Sequence, residues 1–349
     1  MSRNAVAIVS SLLFAILAAL LVITPVPYVT WRPGQTIDVL GNTDTGPIIE
    51  VGGGLHTYNS AGKLLMTTVS ATRVDATVSL PEAVFVYLAN GSDAIPREVI
   101  YPPGKTIEQV RTEATLQMDH SRTFATVAAL EAEGSIPVEK LPSVGTVSLT
   151  GPAADRLLPG DLIHSVDGQD VATIEALEAV IARASVGDTL TFTLTRDGRQ
   201  RSVAVTTTAS NSDARRAVLG ATWAVGYRFA PKITFGIDQS VTGPSAGLVF
   251  ALGIYDRITE GDLLGGRTVA GTGTIDAIGR VGSIGGIREK ITGAERDGAT
   301  IFLVPERNCL DIGDLTTDMT LVKVATLKDA VAALQLINEG NTAEVPTCG

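Results

Sequence analysis

Two stretches decide how this chain folds: SVTGPSAGLVF, Ser240 to Phe250, and GSIGGIREKITGAERDGATIFLVP, Gly282 to Pro305. The first follows an extended run, Lys232 to Ile237, and opens an apolar helical run, Ser245 to Tyr255. Its glycines permit close backbone approach, and Pro244 pre-sets the turn from which Ser245 enters the first helical turn. A serine there either caps the helix or stands as a nucleophile at its N-terminus. In the second stretch Ile287, Ile291 and Ala294 form an apolar stripe, and Lys290 lies beside it, away from Arg288 and Glu295. Desolvation there lowers a lysine's pKa and makes the neutral amine accessible, whereas a snorkelling lysine would keep its charge in water.

The neighbouring segments alternate. Thr268 to Ile275 and Val281 to Ile284 read as extended, Ile287 to Gly298 as a helix, Ile301 to Val304 and Thr320 to Val324 as strands, and Leu327 to Glu339 as a terminal helix. Further upstream, KLLMTTVSA (Lys63 to Ala71) reads as a strand without a local partner, and Leu80 to Leu88 and Thr106 to Glu133 as helices. On the longer helix Val110, Ala114, Met118, Phe124, Val127, Ala128 and Leu130 supply the buried face.

A separate module follows a compositional break at Gly134 to Pro142. Val144 to Leu149 is a short strand, and PAADRLLPGDLIHSVDGQDV (Pro152 to Val171) holds another between Pro-Gly and Asp-Gly turns. Thr173 caps a helix whose Ile174, Leu177, Ile181 and Ala184 share one face, and two alternating runs meet at the Asp197-Gly198 turn. The order predicts a small, partly open β-barrel.

At the N-terminus, Ala5 to Ile23 is apolar except for Ser10 and Ser11, and no charge falls between Arg3 and Arg32. Such a run spans about 28 Å as a helix, close to the hydrocarbon thickness of a bilayer. Tyr28 and Trp31 stand where an interfacial aromatic belt would, and Pro25 and Pro27 end the helix. A cleaved signal peptide is the rival, but no small-x-small site separates the apolar run from Pro25. The reading is an uncleaved single-pass anchor in the cell membrane, with Arg3 inside and the catalytic part extracytoplasmic.

The chain has 349 residues, 45% hydrophobic and 18% charged, with 27 basic against 37 acidic residues and a net charge of -10. That balance argues against a nucleic-acid binder. His56, His120 and His164 have no ligand spacing, so neither a metal nor another cofactor is expected. Two cysteines, Cys309 and Cys348, exclude a cysteine-stapled scaffold; in an oxidising space they are the pair for one disulfide.

The region from Lys232 to Leu336 resembles the proteolytic domain of Lon-type serine proteases, peptidase family S16, which use a Ser-Lys dyad. The resemblance rests on Gly243-Pro244-Ser245-Ala246-Gly247, on Thr272-Gly273, and on Ile284-Gly285-Gly286-Ile287-Arg288-Glu289-Lys290. It implies Ser245 as nucleophile and Lys290 as general base, with Thr272, Gly243 and Pro244 in support. The chain departs from many members in carrying Thr242 where they have an acidic residue.

The middle module resembles PDZ domains of bacterial protease-associated type. That resemblance places a peptide groove between Gly145, Thr146 and Val147 on the strand and Leu177 and Ile181 on the helix. Anchor, PDZ-like module and Lon-like domain together resemble bacterial membrane-anchored, ATP-independent PDZ/Lon-like proteases. The fold class this implies is an α/β (α+β) Lon-type proteolytic domain with an inserted or preceding PDZ-like β-barrel domain and one N-terminal transmembrane helix.

The expected bounds are 1–27 for the anchor, 36–135 for an α/β segment that opens the protease fold, 138–207 for the PDZ-like module and 209–349 for the proteolytic domain. No G-x-x-x-x-G-K-[ST] phosphate loop occurs, so the expected activity is ATP-independent cleavage of unfolded or flexible extracytoplasmic or membrane-associated polypeptides. The Lon resemblance implies a homo-oligomer. The alternative is a catalytically inactive peptide-binding scaffold of the cell envelope.

Overall fold

The computed structural model describes every residue except Met1, Ser2, Thr45, Val74, Asn90, Gln239 and Gly349, so the first two residues of the expected anchor lie outside it. Helix α1 spans Arg3–Ile23; from Asn4 to Ile23 it is exposed except at half-buried Ala5, and it is long and apolar enough to cross a membrane, with a mean hydropathy of 3.0. The chain divides into two compact units: Met1–Ser135 with Pro231–Gly349, and Ile136–Ala230.

The first unit is built on one six-stranded mixed sheet. Its strands are β1 (Tyr28–Asp38), β3 (Lys63–Ala71), β4 (Asp93–Pro96), β11 (Thr268–Gly271), β12 (Ile301–Pro305) and β13 (Thr320–Val324), in the order β13-β12-β11-β3-β1-β4. A further short strand, β2 (Ile49–Val51), pairs antiparallel with β10 (Ile233–Phe235). KLLMTTVSA finds its partner far along the sequence: Lys63 to Met66 run parallel to Thr268 to Gly271 on one side, and β1 pairs antiparallel on the other. Residues 136–230 thus interrupt a sheet whose two halves come from the two ends of the chain.

Alternation along the strands sorts the helices. Leu65, Ala270, Phe302 and Val304 pack with Ile287, Ile291 and Ala294 of α7 (Ile287–Arg296). Gly271 and Leu303 face Val249 of α6 (Gly247–Ile258) on the opposite side, where α6 also meets α4 (Ile107–Glu133) and α8 (Leu327–Asn338). Local chemistry sets these ends. Thr106 with Gln109 and Thr326 with Asp329 form capping boxes, and Gly134 closes α4 in the left-handed region at φ 85°. Two short helices, α2 (Leu80–Leu88) and α3 (Arg97–Ile100), flank β1 and β4. Cys309 and Cys348 are joined in a disulfide, which ties the C-terminal segment to the α7 core.

The second unit holds β5 (Val138–Val147), β6 (Leu162–Val166), α5 (Ile174–Ile181), β7 (Thr189–Arg196), β8 (Arg199–Thr206) and β9 (Ala221–Phe229). The β7–β8 hairpin turns on Asp197 and Gly198, both with positive φ, as a two-residue hairpin with the twist of its strands requires. Phe192, Leu194, Ile163 and Leu177 are completely buried at its core.

The expected barrel is instead an open sheet, β8-β7-β6-β5-β9, whose outer strands do not pair with each other among the described residues. Two domain bounds also shift. The first unit's sheet begins at Tyr28, not at 36, and residues 209–230 belong to the second unit, because β9 pairs with β5 from Val138↔Phe229 to Val147↔Ala221.

Candidate active site

Ser245 stands in the turn that enters α6, and its backbone is fixed from two sides. Gly243 N–H donates to Ala114 O at 3.1 Å, and Ser121 Oγ of α4 donates to Pro244 O at 3.1 Å. From the loop after β11, Gly273 N–H (2.9 Å) and Thr272 Oγ1 (3.1 Å) both donate to Ser245 O. Gly243 takes φ +93°, a region costly for any residue with a Cβ. At Gly247 a Cβ would lie 2.9 Å from Ile275 N and 3.0 Å from Ser121 Oγ, so glycine lets the helix start press against its neighbours. The amides of Ser245 and Ala246 donate to no partner among the described residues.

Lys290 reaches the same place from the other face of the sheet. It sits one turn into α7 and is 2% exposed. Its Nζ donates to Thr272 Oγ1 at 2.9 Å, so Thr272 links the lysine amine to the Ser245 backbone. Burial pulls the ammonium down from 10.5 to about 7, while the neighbouring Glu289 favours the charge and opposes that shift. Glu289 is itself buried, and desolvation raises its carboxyl pKa.

Ser245 and Lys290 both line a cleft of about 510 Å³, together with Ile37, Met66, Val69 and Met118, and with Arg296. No hydrogen bond joins them among the described residues, and the lysine amine donates instead to Thr272. No carboxylate or histidine lines the cleft among the described residues; Thr242 does, and Asp238 is exposed with its Oδ1 bound by Ser240 N–H. Among the described residues of the lining, Lys290 is therefore the one group able to exchange a proton near neutral pH. The described residues hold no cluster of metal-binding side chains.

Some site residues went unread in the sequence. Ser121 follows Met118 by three positions on the buried face of α4, and a polar residue on an apolar stripe was the signal available. The Trp31 ring, expected in an interfacial belt, lies against Gly285 and Gly286, just before α7, where a Cβ on Gly285 would come within 2.7 Å of it.

In the second unit the expected peptide groove is only partly assembled. Thr146 N–H donates to Thr222 Oγ1 at 2.9 Å, and β9 occupies the strand position beside Gly145, Thr146 and Val147. Leu177 is a core residue. Thr146, Val147 and Ile181 do line a cavity of about 1000 Å³, but its wall is mainly Arg215 to Trp223. On this side of the sheet β9 is the edge strand, with no further strand beside it among the described residues; β8 is the edge on the other side.

Residues 239–336 match the family described as the Lon protease (S16) C-terminal proteolytic domain, and residues 127–207 match the PDZ domain. The chain is 38% identical to a Lon protease of Chloroflexus aurantiacus over 113 residues, 30% of this chain and 13% of that protein. It is 42% identical to Lon protease 2 of Herpetosiphon aurantiacus over 77 residues, 22% of this chain and 9% of that one. The chain therefore spans a small fraction of the length of these relatives. The PDZ domain of an SdrC-like protein from Listeria monocytogenes is also similar, at 26% identity and a TM-score of 0.23, covering 24% of this chain and 87% of that one. The serine-protease segment so identified contains Ser245, Thr272 and Lys290; β9 lies beyond the PDZ match.

Proposed function

We propose that this chain is an ATP-independent serine endopeptidase working through a Ser245–Lys290 dyad, anchored in the cell membrane by α1 with its catalytic part outside the cytoplasm. The observation that carries the reading is the buried lysine, half neutral near pH 7, in one cleft with a serine whose backbone is pinned. Rotation of the Lys290 side chain away from Thr272 offers its amine to Ser245. The neutral amine takes the hydroxyl proton as Oγ attacks the peptide carbonyl carbon. The free amides of Ser245 and Ala246 then hold the carbonyl oxygen as it gains charge. As the C–N bond breaks, Lys290 returns the proton to the leaving amine, and water activated by the same amine releases the acyl group.

The substrates are unfolded or flexible polypeptides, which reach the cleft without an unfolding motor; the sequence contains no phosphate-loop motif. They are captured by β-strand addition at the free edge of β9, with Ile181 and Trp223 lining the side-chain cavity. Degradation of an unfolded protein without nucleotide, compared between wild type and Ser245→Ala, tests this. Cleavage by the wild type alone is expected, and equal cleavage by both removes Ser245 from the reaction.

A further inference from the structure

Helix α2 presents an outer face unsuited to water. The exposed face of α4 interleaves Glu108, Arg111 and Glu113 among its residues, as a solvated helix does. The side chains that α2 leaves outside are Leu80, Pro81, Val84, Phe85, Tyr87 and Leu88, none of them charged. Phe85, Tyr87 and Leu88 are 73%, 69% and 74% exposed, while Ala83 and Val86 fix the opposite face to the unit. The only charge on the helix, Glu82, is bound by Arg32 at 3.0 Å. A contiguous apolar face of this kind marks a surface that something covers.

Where α2 sits supplies the occupant. The apolar helix α1 ends at Ile23, and Pro25 and Val26 pair with the two residues that lead into α2: Pro25↔Ser79 and Val26↔Val78. Ser79 is the N-cap of α2, its Oγ accepting from Glu82 N–H, so α2 begins one strand spacing, about 5 Å, from the residues that leave α1. The two helices are in contact. Nearby, Arg97 N–H at the start of α3 donates to Pro27 O at 2.9 Å, and Val99 of α3 is 64% exposed. A face tied this closely to the end of a spanning helix cannot lie far from the lipid.

Resting on the anchor reading above, we propose that the outer face of α2, centred on Phe85 and Leu88, is embedded in the boundary between headgroups and acyl chains of the bilayer that α1 crosses. The interaction is apolar, because the face offers no cation to an acidic headgroup; a zwitterionic lipid surface suffices. The cleft belongs to the same compact unit as α2, so this seating fixes the height of Ser245 above the membrane instead of leaving the protease on a loose tether.

Spin labelling of the full chain in phosphatidylcholine vesicles tests the proposal, since both native cysteines are joined in the disulfide. Nitroxides are placed at Phe85→Cys and Leu88→Cys on α2, at Leu13→Cys on α1, and at Leu149→Cys, which is 95% exposed in the second unit. The α1 and α2 labels are expected to collide severalfold more with oxygen than with a water-soluble nickel chelate, the Leu149 label to do the reverse, and added phosphatidylglycerol to change neither. Nickel access at 85 and 88 equal to that at 149, with the Leu13 label still in lipid, overturns the proposal and leaves the anchor standing. Nickel access at Leu13 overturns both. Labels at 85 and 88 shielded from both reagents mean that a second copy of the chain covers the face, which also overturns it.

Discussion

At the scale of single residues, the chemistry rests on one desolvated amine. Because the folded-state pKa of Lys290 is about 7 against an ordinary 10.5, the fraction of neutral base rises with pH through 7, and so should kcat/KM for a peptide substrate, levelling above pH 8. The stability consequence has the same sign. Between 7 and 10.5 the unfolded chain binds more protons than the folded one, so the folded state gains stability as pH rises across that window. Lys290→Met should abolish cleavage yet raise Tm at pH 7, because it removes a buried charge while keeping the volume; a melting curve beside an activity assay checks both.

Thr272 accepts from the lysine and holds the Ser245 carbonyl. Thr272→Val should therefore lower kcat about tenfold, equivalent to ~1.4 kcal/mol, and displace the midpoint of the pH profile, with KM little changed. Loss of the Ser245 hydroxyl should cost on the order of 10⁴-fold or more in kcat.

At the scale of elements, the site depends on how tightly α4, α6 and the loop after β11 meet. Ser121→Ala removes the donor to Pro244 O and should cost about 1 kcal/mol in stability by denaturant titration, with a fall in kcat as the turn loosens. Gly247→Ala presses a methyl on the Ile275 backbone and should cost about 1–3 kcal/mol. Much of this layer was legible. The motif around Ser245, the lysine beside the α7 stripe and the capping residue Thr173 are local signals, carried by spacing within one or two turns. Pairing was not. ATWAVGYRF keeps no strict alternation and bulges at Thr222 and Trp223, so nothing in it tells that β9 lies beside β5 and turns the expected groove strand into an internal one. The contact of Trp31 with Gly285 was equally hidden, because only the strand register brings the ring there.

For the whole molecule, the main event is long-range closure. The sheet joins β3 to β11 across some two hundred residues, a contact that neither hydropathy nor local propensity can specify, and the chain between them forms its own compact unit. Division of labour between the units follows from the proposed function. Ile181→Asp in the β9–α5 cavity should raise KM for a long unfolded substrate severalfold while leaving kcat on a short peptide unchanged, because that cavity is separate from the Ser245 cleft. The disulfide should be worth ~2–4 kcal/mol, so Cys348→Ser should melt at lower temperature without a change in the pH profile.

The dyad itself is tested most directly by trapping the acyl-enzyme with an activated peptide ester and measuring its formation by mass spectrometry as pH is varied. The acyl group is expected on Ser245, at a rate that rises through pH 7 and vanishes in Lys290→Met. Acylation that persists in Lys290→Met with an unaltered pH profile, or that appears on a residue other than Ser245, would contradict it.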